Sequence, residues 1–226
     1  MTAVIADDPS LAGQAVYTKA VLAVYDLWVH GISNPFIWRC PTKHLHALYD
    51  RHVTSNHLDV GVGTGYFLDR CSFPSPRPRL ILVDANRNSL EVAGRRLRRH
   101  RPGLYRRNVL EPLSMDEPPF DSIALMYLLH CLPGNIAAKA VVFDNLNALL
   151  SSGGVIFGAT VLGLGVRPSR MARRLMALYN ARGIFSNSED DLDALRNFLG
   201  RRYAQVQIDV VGCVALFSAR RPRRDL

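Results

Sequence analysis

The sequence predicts an α/β protein whose sheet is mostly parallel and carries helices on both faces. Strand-length apolar runs alternate with helical segments between residues 57 and 161, which indicates parallel strands joined by helical crossovers. The final two runs, 204–211 and 214–220, are joined only by Gly212-Cys213. Such a short connection permits an antiparallel hairpin and forbids a parallel crossover, so we expect one reversed strand at the end of the sheet.

The elements are predicted in the following order. Helices at 14–32 and 42–52 are separated by a break at Ser33-Asn34-Pro35. Five strands are then predicted, at 57–62, 79–85, 104–109, 120–127 and 155–161. Ser151-Ser152-Gly153-Gly154 is expected to end the helix before the fifth strand. An insertion with a helix at 170–181 precedes the hairpin and is a candidate lid.

Length and composition favour one globular domain. The chain has 226 residues, 48% of them apolar, and a mean hydropathy of +0.03. Apolar stretches stay far below the roughly 18 residues that span a bilayer, and the N-terminus lacks the basic region of a secretory signal. The four cysteines form no CxxC pair, which argues against a zinc site or a disulfide framework. We therefore expect a cytoplasmic protein without a membrane segment.

The formal charge of +9 comes mostly from arginine. A nucleic-acid surface is one interpretation, but a solvated helix face is favoured. Leu90, Ala93, Gly94 and Leu97 follow helical spacing, and the arginines of this segment fall largely on the other faces. The charge therefore does not require a nucleic-acid partner.

Three glycines at alternate positions, Gly61, Gly63 and Gly65, follow the first predicted strand. This spacing differs from the dinucleotide fingerprint G-x-G-x-x-G, because Tyr66 occupies the position of the third glycine. Asp59 precedes the loop, where its carboxylate would repel a pyrophosphate and would suit an ammonium group. The pattern excludes most phosphate ligands.

Asp84 ends the second predicted strand, 19 residues after Gly65. An acidic side chain there can accept hydrogen bonds from both hydroxyls of an unphosphorylated ribose. The ligand that fits both acids is a nucleoside with a positively charged amino-acid end.

Four segments carry a family resemblance. LDVGVGTG, ILVDANRNSL, FDSIALMYLLHCL and LLSSGGVIFGATV resemble the ordered motifs of class I S-adenosylmethionine-dependent methyltransferases, over residues 55 to 160. The resemblance implies a Rossmann-like, seven-stranded sheet that ends in the reversed hairpin. It divides this single domain into an N-terminal helical cap (1–53), a cofactor-binding core (54–161), lid or insertion helices (162–203) and the terminal hairpin (204–220).

The resemblance also implies cofactor contacts for S-adenosylmethionine and its product S-adenosylhomocysteine. Asp59 is expected to anchor the amino group, the glycine loop with Thr64 to pack against the cofactor, and Asp84 to hold the ribose. The remaining expected cofactor residues are Ala85 and Asn86, Asn108 and Val109, Tyr127, and Tyr17 and Trp38 from the cap. Asn108 stands where the family often has an acid for the adenine amino group; a simple turn residue is the alternative.

The acceptor side is less defined. His130, which follows the fourth strand, is expected as a general base, with a packed structural histidine as the alternative. The expected substrate-binding residues are Tyr25, His30, Leu128, Asn180 and Phe185. The aromatic residues among them also fit a core stripe, and no clustered acids suggest a metal.

These features predict methyl transfer from S-adenosylmethionine to a small-molecule acceptor, with O-methylation in secondary metabolism favoured. The chain lacks the [DN]-P-P-[YF] and Pro-Cys motifs of base-modifying enzymes, which disfavours nucleic acid as substrate. The alternatives are an RNA or protein methyltransferase using the arginine-rich surface, and a non-catalytic S-adenosylmethionine-binding protein. A monomer or a homodimer is expected.

Overall fold

A computed structural model describes residues 26–222, apart from the side chains of Leu27 and His30. Seven strands form its sheet: β1 Asn56–Val60, β2 Arg79–Asp84, β3 Gly103–Arg106, β4 Phe120–Met126, β5 Leu150–Val161, β6 Tyr203–Val211 and β7 Val214–Pro222. The strand order is β3-β2-β1-β4-β5-β7-β6. Strands β1 to β5 pair in parallel, and β7 is antiparallel to both β5 and β6. The predicted fold class, including the reversed hairpin strand, is confirmed.

The helices of the described residues are α1 Leu27–Ile37, α2 Thr42–His52, α3 Tyr66–Arg70, α4 Arg87–Arg96, α5 Ala140–Asn147, α6 Arg170–Ala181 and α7 Leu192–Arg202. Short 3₁₀ turns follow α4 and β4, at Arg98–His100 and Leu129–Cys131. Within residues 26–222, no helix combines the length and apolar character that crossing a membrane requires.

Two apolar clusters cover the two faces of the sheet. Because side chains alternate along a strand, Leu58 and Val60 of β1 belong to one cluster, which also contains apolar residues of α5 and α7. Apolar residues of α2 and α4 belong to the other cluster, with Leu82 of β2. His57 and Asp59 of β1 alternate with Leu58 and Val60, so they face the α2 side.

Helix α1 departs from the predicted break at Ser33-Asn34-Pro35. The helix passes through these residues as a π-helix and ends at Ile37. The Trp38 N–H donates to the Ser33 carbonyl at 2.9 Å, which closes a turn wider than that of an α-helix. The prediction of a break was therefore wrong, and residues 14–25 of the predicted first helix lie outside the described residues.

The fifth strand starts earlier than predicted. It begins at Leu150 and includes the segment interpreted as a helix stop. The register shifts between Phe120 and Ser122, which pair with Leu150 and Val155 respectively. Such an irregularity absorbs extra residues without ending the strand, so the two glycines mark a bulge rather than a loop.

The insertion contains two helices with different surroundings. The predicted bounds of α6 are confirmed. Helix α7, which the sequence pattern did not resolve, packs Leu195, Phe198 and Leu199 into the core and leads directly into β6. It is the last helical connection of the sheet, and the lid role of the insertion stays a prediction.

The turn of the β6–β7 hairpin contacts the end of α1. Gly212 has a φ of +61°, and a Cβ there would overlap the carbonyl oxygen of Trp38. The next residue, Cys213, donates its N–H to that same oxygen at 2.9 Å. A glycine is required here both by the left-handed backbone and by the close approach of α1.

Candidate active site

A cavity of about 130 Å³ opens at the carboxyl ends of β1, β2 and β4. This is the edge where ligands bind in open α/β sheets. Its wall includes the following predicted site residues: Asp59, Gly61, Gly63, Thr64, Gly65, Asp84, Ala85, Asn86, Asn108, Val109, Tyr127 and Leu128. Val29 of α1 also lines it, so the cap contributes to the wall.

The glycine loop between β1 and α3 has a left-handed backbone at Gly61, Gly63 and Gly65, with φ values of +70°, +55° and +73°. A Cβ on Gly61 would lie 2.8 Å from Leu128, and one on Gly65 would lie 3.2 Å from Ala93. A Cβ on Gly63 would meet no atom within 4 Å. Two of the glycines therefore make room for protein neighbours, and Gly63 leaves its side of the loop open.

Asp84 stands at the end of β2 with its carboxylate against two backbone donors. Its Oδ1 accepts from the Asn86 N–H at 2.8 Å and its Oδ2 accepts from the Gly63 N–H at 3.3 Å. Burial raises the pKa of this carboxyl to about 6, against the effect of the backbone hydrogen bonds. The side chain is oriented by the loop and the helix start on either side of it.

Asp59 is 5% exposed and lies on the strand next to Asp84. The hydroxyl of Tyr49 donates a hydrogen bond to its Oδ2. Two carboxylates thus border one cavity, an arrangement that attracts a cation and repels a phosphate.

Thr64 and Asn86 use their side chains within the protein. The Thr64 hydroxyl donates to Asp26 Oδ1 at 2.6 Å and accepts from Arg96 at 3.1 Å, which connects α1, the glycine loop and α4. Asn86 Oδ1 accepts from the N–H groups of Asn88 and Ser89 and caps α4. Both residues line the cavity, and their side-chain hydrogen bonds join the segments that form its wall.

Asn108 follows β3 in the cavity wall, as predicted. Its amide oxygen accepts from the Leu110 N–H at 3.1 Å, and its backbone carbonyl accepts from the Glu111 N–H at 3.1 Å. This is an Asx-type turn. The turn role that the sequence left open is present, and the adenine contact stays a prediction.

His130 does not have the environment of a general base. It is 4% exposed and is not part of the cavity wall. Its Nδ1 accepts the backbone N–H of Val161 at 3.2 Å, so the neutral ring carries its proton on Nε2. Burial, with a smaller effect of Lys139, lowers its pKa to about 3. The burial and the hydrogen bond to β5 favour the structural alternative, and the general-base role stays an untested prediction.

Trp38 and Phe185 are brought together away from the cavity wall. Trp38 is 3% exposed, and its ring centroid lies 5.9 Å from that of Phe185. Phe185 also packs against His130 at 4.4 Å and Tyr179 at 5.0 Å. These contacts form a buried aromatic cluster, so Trp38 contacts protein where a cofactor contact was expected.

Asn180 is likewise used within the protein. Its amide nitrogen donates to the Met176 carbonyl and to Asn187 Oδ1, both at 2.8 Å, and its oxygen accepts from the Asn187 N–H at 3.0 Å. The residue fixes the turn after α6 and does not line the cavity. Tyr17 and Tyr25 lie outside the described residues, and His30 is described only by its place in α1.

Sequence reasoning missed the residues behind Asp59. Tyr49 of α2, His57 of β1 and Ser122 of β4 form a buried hydrogen-bonded group with it. Strand alternation could have placed His57 on the same face as Asp59. Tyr49 and Ser122 gave no comparable signal, because their contacts depend on how α2 and β4 pack.

A family model described as a methyltransferase domain matches residues 58–156. The chain is also 42% identical over 213 residues to demethylluteothin O-methyltransferase of Streptomyces thioluteus, covering 94% of this chain and 93% of that protein. With this fold and these motifs, the chain belongs to the class I S-adenosylmethionine-dependent methyltransferases.

Other similar proteins agree with this assignment. The physcion biosynthesis cluster O-methyltransferase of Aspergillus chevalieri is 39% identical over 217 residues, covering 95% of this chain and 97% of that protein. Among solved structures, the DhpI–SAH complex has a TM-score of 0.64 at 15% identity, over 96% of this chain and 100% of that one. The N-methyltransferase NodS from Bradyrhizobium japonicum WM9, in complex with S-adenosylhomocysteine, has a TM-score of 0.63 at 18% identity, over 94% and 99%. These two likenesses concern the fold.

Proposed function

We propose that this chain transfers the methyl group of S-adenosylmethionine to a hydroxyl oxygen of a small molecule in secondary metabolism. Relatives named as O-methyltransferases, matched over nearly their whole length, support the choice of oxygen and of a small acceptor. The single observation that carries the cofactor assignment is Asp84, which holds its carboxylate at the cavity between the Gly63 and Asn86 N–H groups.

The cavity residues fit this cofactor. Asp84 would accept hydrogen bonds from the ribose hydroxyls. Asp59, in the adjacent strand, would bind the ammonium group. Ala85, after β2, and Val109, after β3, line the cavity and would border the adenine. The open side of Gly63 allows the backbone to approach the ligand, since no protein atom fills that space.

The bound cofactor supplies an already activated methyl on a sulfonium, so the protein has mainly to align the acceptor and exclude water. Met126, Leu128 and Leu132 give the wall after β4 an apolar surface. Tyr127, the residue before Leu128, has a φ of +57°, a backbone conformation that residues other than glycine rarely adopt. This segment is the proposed contact for a fairly apolar acceptor.

His130 contributes by position. The Val161 N–H fixes its ring from the end of β5, and the edge of Phe185 packs against it. It thereby joins the segment after β4 to the segment after α6, on the acceptor side of the cavity. Its Nδ1 already accepts the Val161 N–H and its Nε2 carries the proton, so neither nitrogen is available to take the proton of the substrate hydroxyl.

Replacement of Asp84 tests the cofactor assignment. Asp84→Ala should weaken binding of S-adenosylhomocysteine, measured by calorimetry, by at least about tenfold, since a charge-assisted interaction is lost. Asp116→Ala, which removes an exposed acid outside the cavity wall, is the matched control and should bind normally. Equal affinity in wild type and Asp84→Ala contradicts the ribose role.

The transfer itself is tested with radiolabelled methyl. The enzyme is incubated with methyl-labelled S-adenosylmethionine and paired phenolic and amine acceptors of matched size. Label that moves to the phenolic members and stays absent from the amines supports O-methylation. Transfer confined to the amines contradicts it.

A further inference from the structure

A buried line of polar side chains ends on Asp59. His57 and Asp59 lie two residues apart on β1 and share a face, and Ser122 is the partner of His57 in the register of β1 with β4. Tyr49 reaches them from α2. Tyr49, His57 and Ser122 are all fully buried, at 0% exposure, so no bulk water competes for their hydrogen bonds.

The donors along this line can be assigned from their chemistry. The Tyr49 hydroxyl gives its one proton to Asp59 Oδ2, so its oxygen must accept from His57 Nε2, 2.9 Å away. In the tautomer that carries its proton on Nε2, His57 accepts at Nδ1 from the Ser122 hydroxyl, 2.7 Å away. Ser122 Oγ in turn accepts the Thr54 N–H at 3.0 Å. Every donor therefore points towards the carboxylate.

The line fixes one oxygen of Asp59 and leaves the other for a ligand. Among the described residues, the one hydrogen bond to the Asp59 carboxylate comes from Tyr49 to Oδ2, and His57 Nε2 lies 3.8 Å from that same oxygen. Burial, and then the Asp59 carboxylate, raise the pKa of Tyr49 well above its usual value, which favours the protonated hydroxyl that donates this hydrogen bond. Asp59 lines the cavity, and its other carboxylate oxygen, Oδ1, is the one that Tyr49 does not use.

We propose that Tyr49 is a positioning residue for the cofactor's amino-acid end, held in place by His57 and Ser122. It locks the Asp59 carboxylate in the orientation that presents Oδ1 to the ammonium group. This inference rests on the proposed function, because it takes the ligand of the cavity to be S-adenosylmethionine. Helix α2 lies outside the cavity wall. Through Tyr49 it nevertheless contributes to the affinity for the amino-acid end of that ligand.

Two ligands separate this role from a structural one. S-adenosylhomocysteine carries the ammonium group, whereas 5′-methylthioadenosine shares the nucleoside and lacks the amino acid. Tyr49→Phe should lower the affinity for S-adenosylhomocysteine about tenfold, the loss expected when a charge-assisted contact is misaligned. Its affinity for 5′-methylthioadenosine should stay within about twofold of wild type, since the nucleoside contacts are intact.

The matched control is Tyr203→Phe, which removes another buried tyrosine hydroxyl, one that donates to Asn147 at 2.6 Å. It should leave both affinities unchanged. A second pair guards against misfolding of Tyr49→Phe: His57→Gln keeps a donor towards Tyr49 and should bind normally, whereas His57→Leu removes it and should lose affinity only for S-adenosylhomocysteine.

The outcomes distinguish the two proposals. If Tyr49→Phe and His57→Leu each lower the affinity for both ligands equally, the hydrogen-bonded group is structural and the inference is overturned. Unchanged affinity for S-adenosylhomocysteine in these variants also overturns it. A wild-type protein that binds neither ligand contradicts the proposed function itself. In a double-mutant cycle, Tyr49→Phe should have no further effect in an Asp59→Asn background.

Discussion

Two regions of the molecule, the cofactor side and the lid side, use their polar side chains in different ways. On the cofactor side, Asp59 and Asp84 are held by neighbouring donors and still belong to the open wall. On the lid side, which we define as α6 and residues 182–191, the polar groups are bonded to each other. Lys139, the residue before α5, is 1% exposed and donates to both oxygens of the fully buried Asp190 and to the Ser186 carbonyl.

The difference shows that a buried polar residue can bind a ligand only where protein partners leave one of its atoms available. The lid-side groups join the segment after α6 to the end of β5 and the residues that follow it: Asn187 donates to the Val161 carbonyl, and the Asp190 carbonyl accepts from Gly163 and Leu164. Such groups contribute to stability, because breaking them leaves a buried atom without a partner. Substitutions on the lid side should therefore lower stability and spare cofactor affinity, with the opposite result on the cofactor side.

The largest effect is expected at Lys139. Lys139→Met leaves the Asp190 carboxylate buried without its cation, which should cost about 3–5 kcal/mol of unfolding free energy. Because burial already raises the pKa of Asp190 to about 6, protonation should make the loss smaller at pH 5 than at pH 7.5. Denaturant unfolding at the two pH values measures this.

The control for this experiment is the double variant Lys139→Met/Asp190→Asn, which removes the unpaired charge and should regain much of the stability. The folded fraction of the single variant should bind S-adenosylhomocysteine with wild-type affinity. A large loss of affinity there would make the lid side part of the cofactor site.

A smaller loss of stability is expected at His130. His130→Ala leaves the buried Val161 N–H without its acceptor, which should cost about 1–3 kcal/mol in thermal or denaturant unfolding. Affinity for S-adenosylhomocysteine should remain unchanged. His100→Ala, which removes a histidine outside the cavity wall, is the reference substitution. An unaltered unfolding midpoint in His130→Ala would remove His130 from the structural group.

The smallest effect is expected for the pH dependence of cofactor affinity. Since burial raises the pKa of Asp84 to about 6, the carboxyl is charged at pH 7 and protonated at pH 5. If only the charged form holds the ribose, affinity for S-adenosylhomocysteine should fall about tenfold between pH 7 and pH 5. Calorimetry at several pH values checks this, and Asp84→Asn should show a flat profile. A wild-type profile equally flat would contradict the coupling.

The cofactor side was predictable from the sequence because its signals are local. Asp59 and Asp84 lie near the carboxyl ends of β1 and β2, and the three glycines follow β1; parallel strands bring these ends to one edge of the sheet. The fold followed from the same alternation, together with the two-residue connection of the hairpin. The expected wall positions of Tyr127 and Leu128 follow from their place after β4.

The surroundings of His130 and Trp38 were not predictable in the same way. The state of His130 depends on an N–H from β5 and on Phe185 from the insertion, and neither contact has a sequence pattern. Trp38 looked like a cofactor contact because it is aromatic and lies in the cap, yet packing placed it in the core. The helix through Pro35 and the bulge in β5 were missed because both break the local rules for their element.

The contact between Gly212 and the Trp38 carbonyl has a consequence for how the molecule assembles. It joins segments from opposite ends of the described chain, and β6 reaches the sheet only through β7. Contacts between distant segments form late, because the intervening chain must first lose its freedom. The end of α1 is therefore expected to dock after the hairpin has formed, so that the ligand pocket acquires its cap wall in one of the final steps of folding.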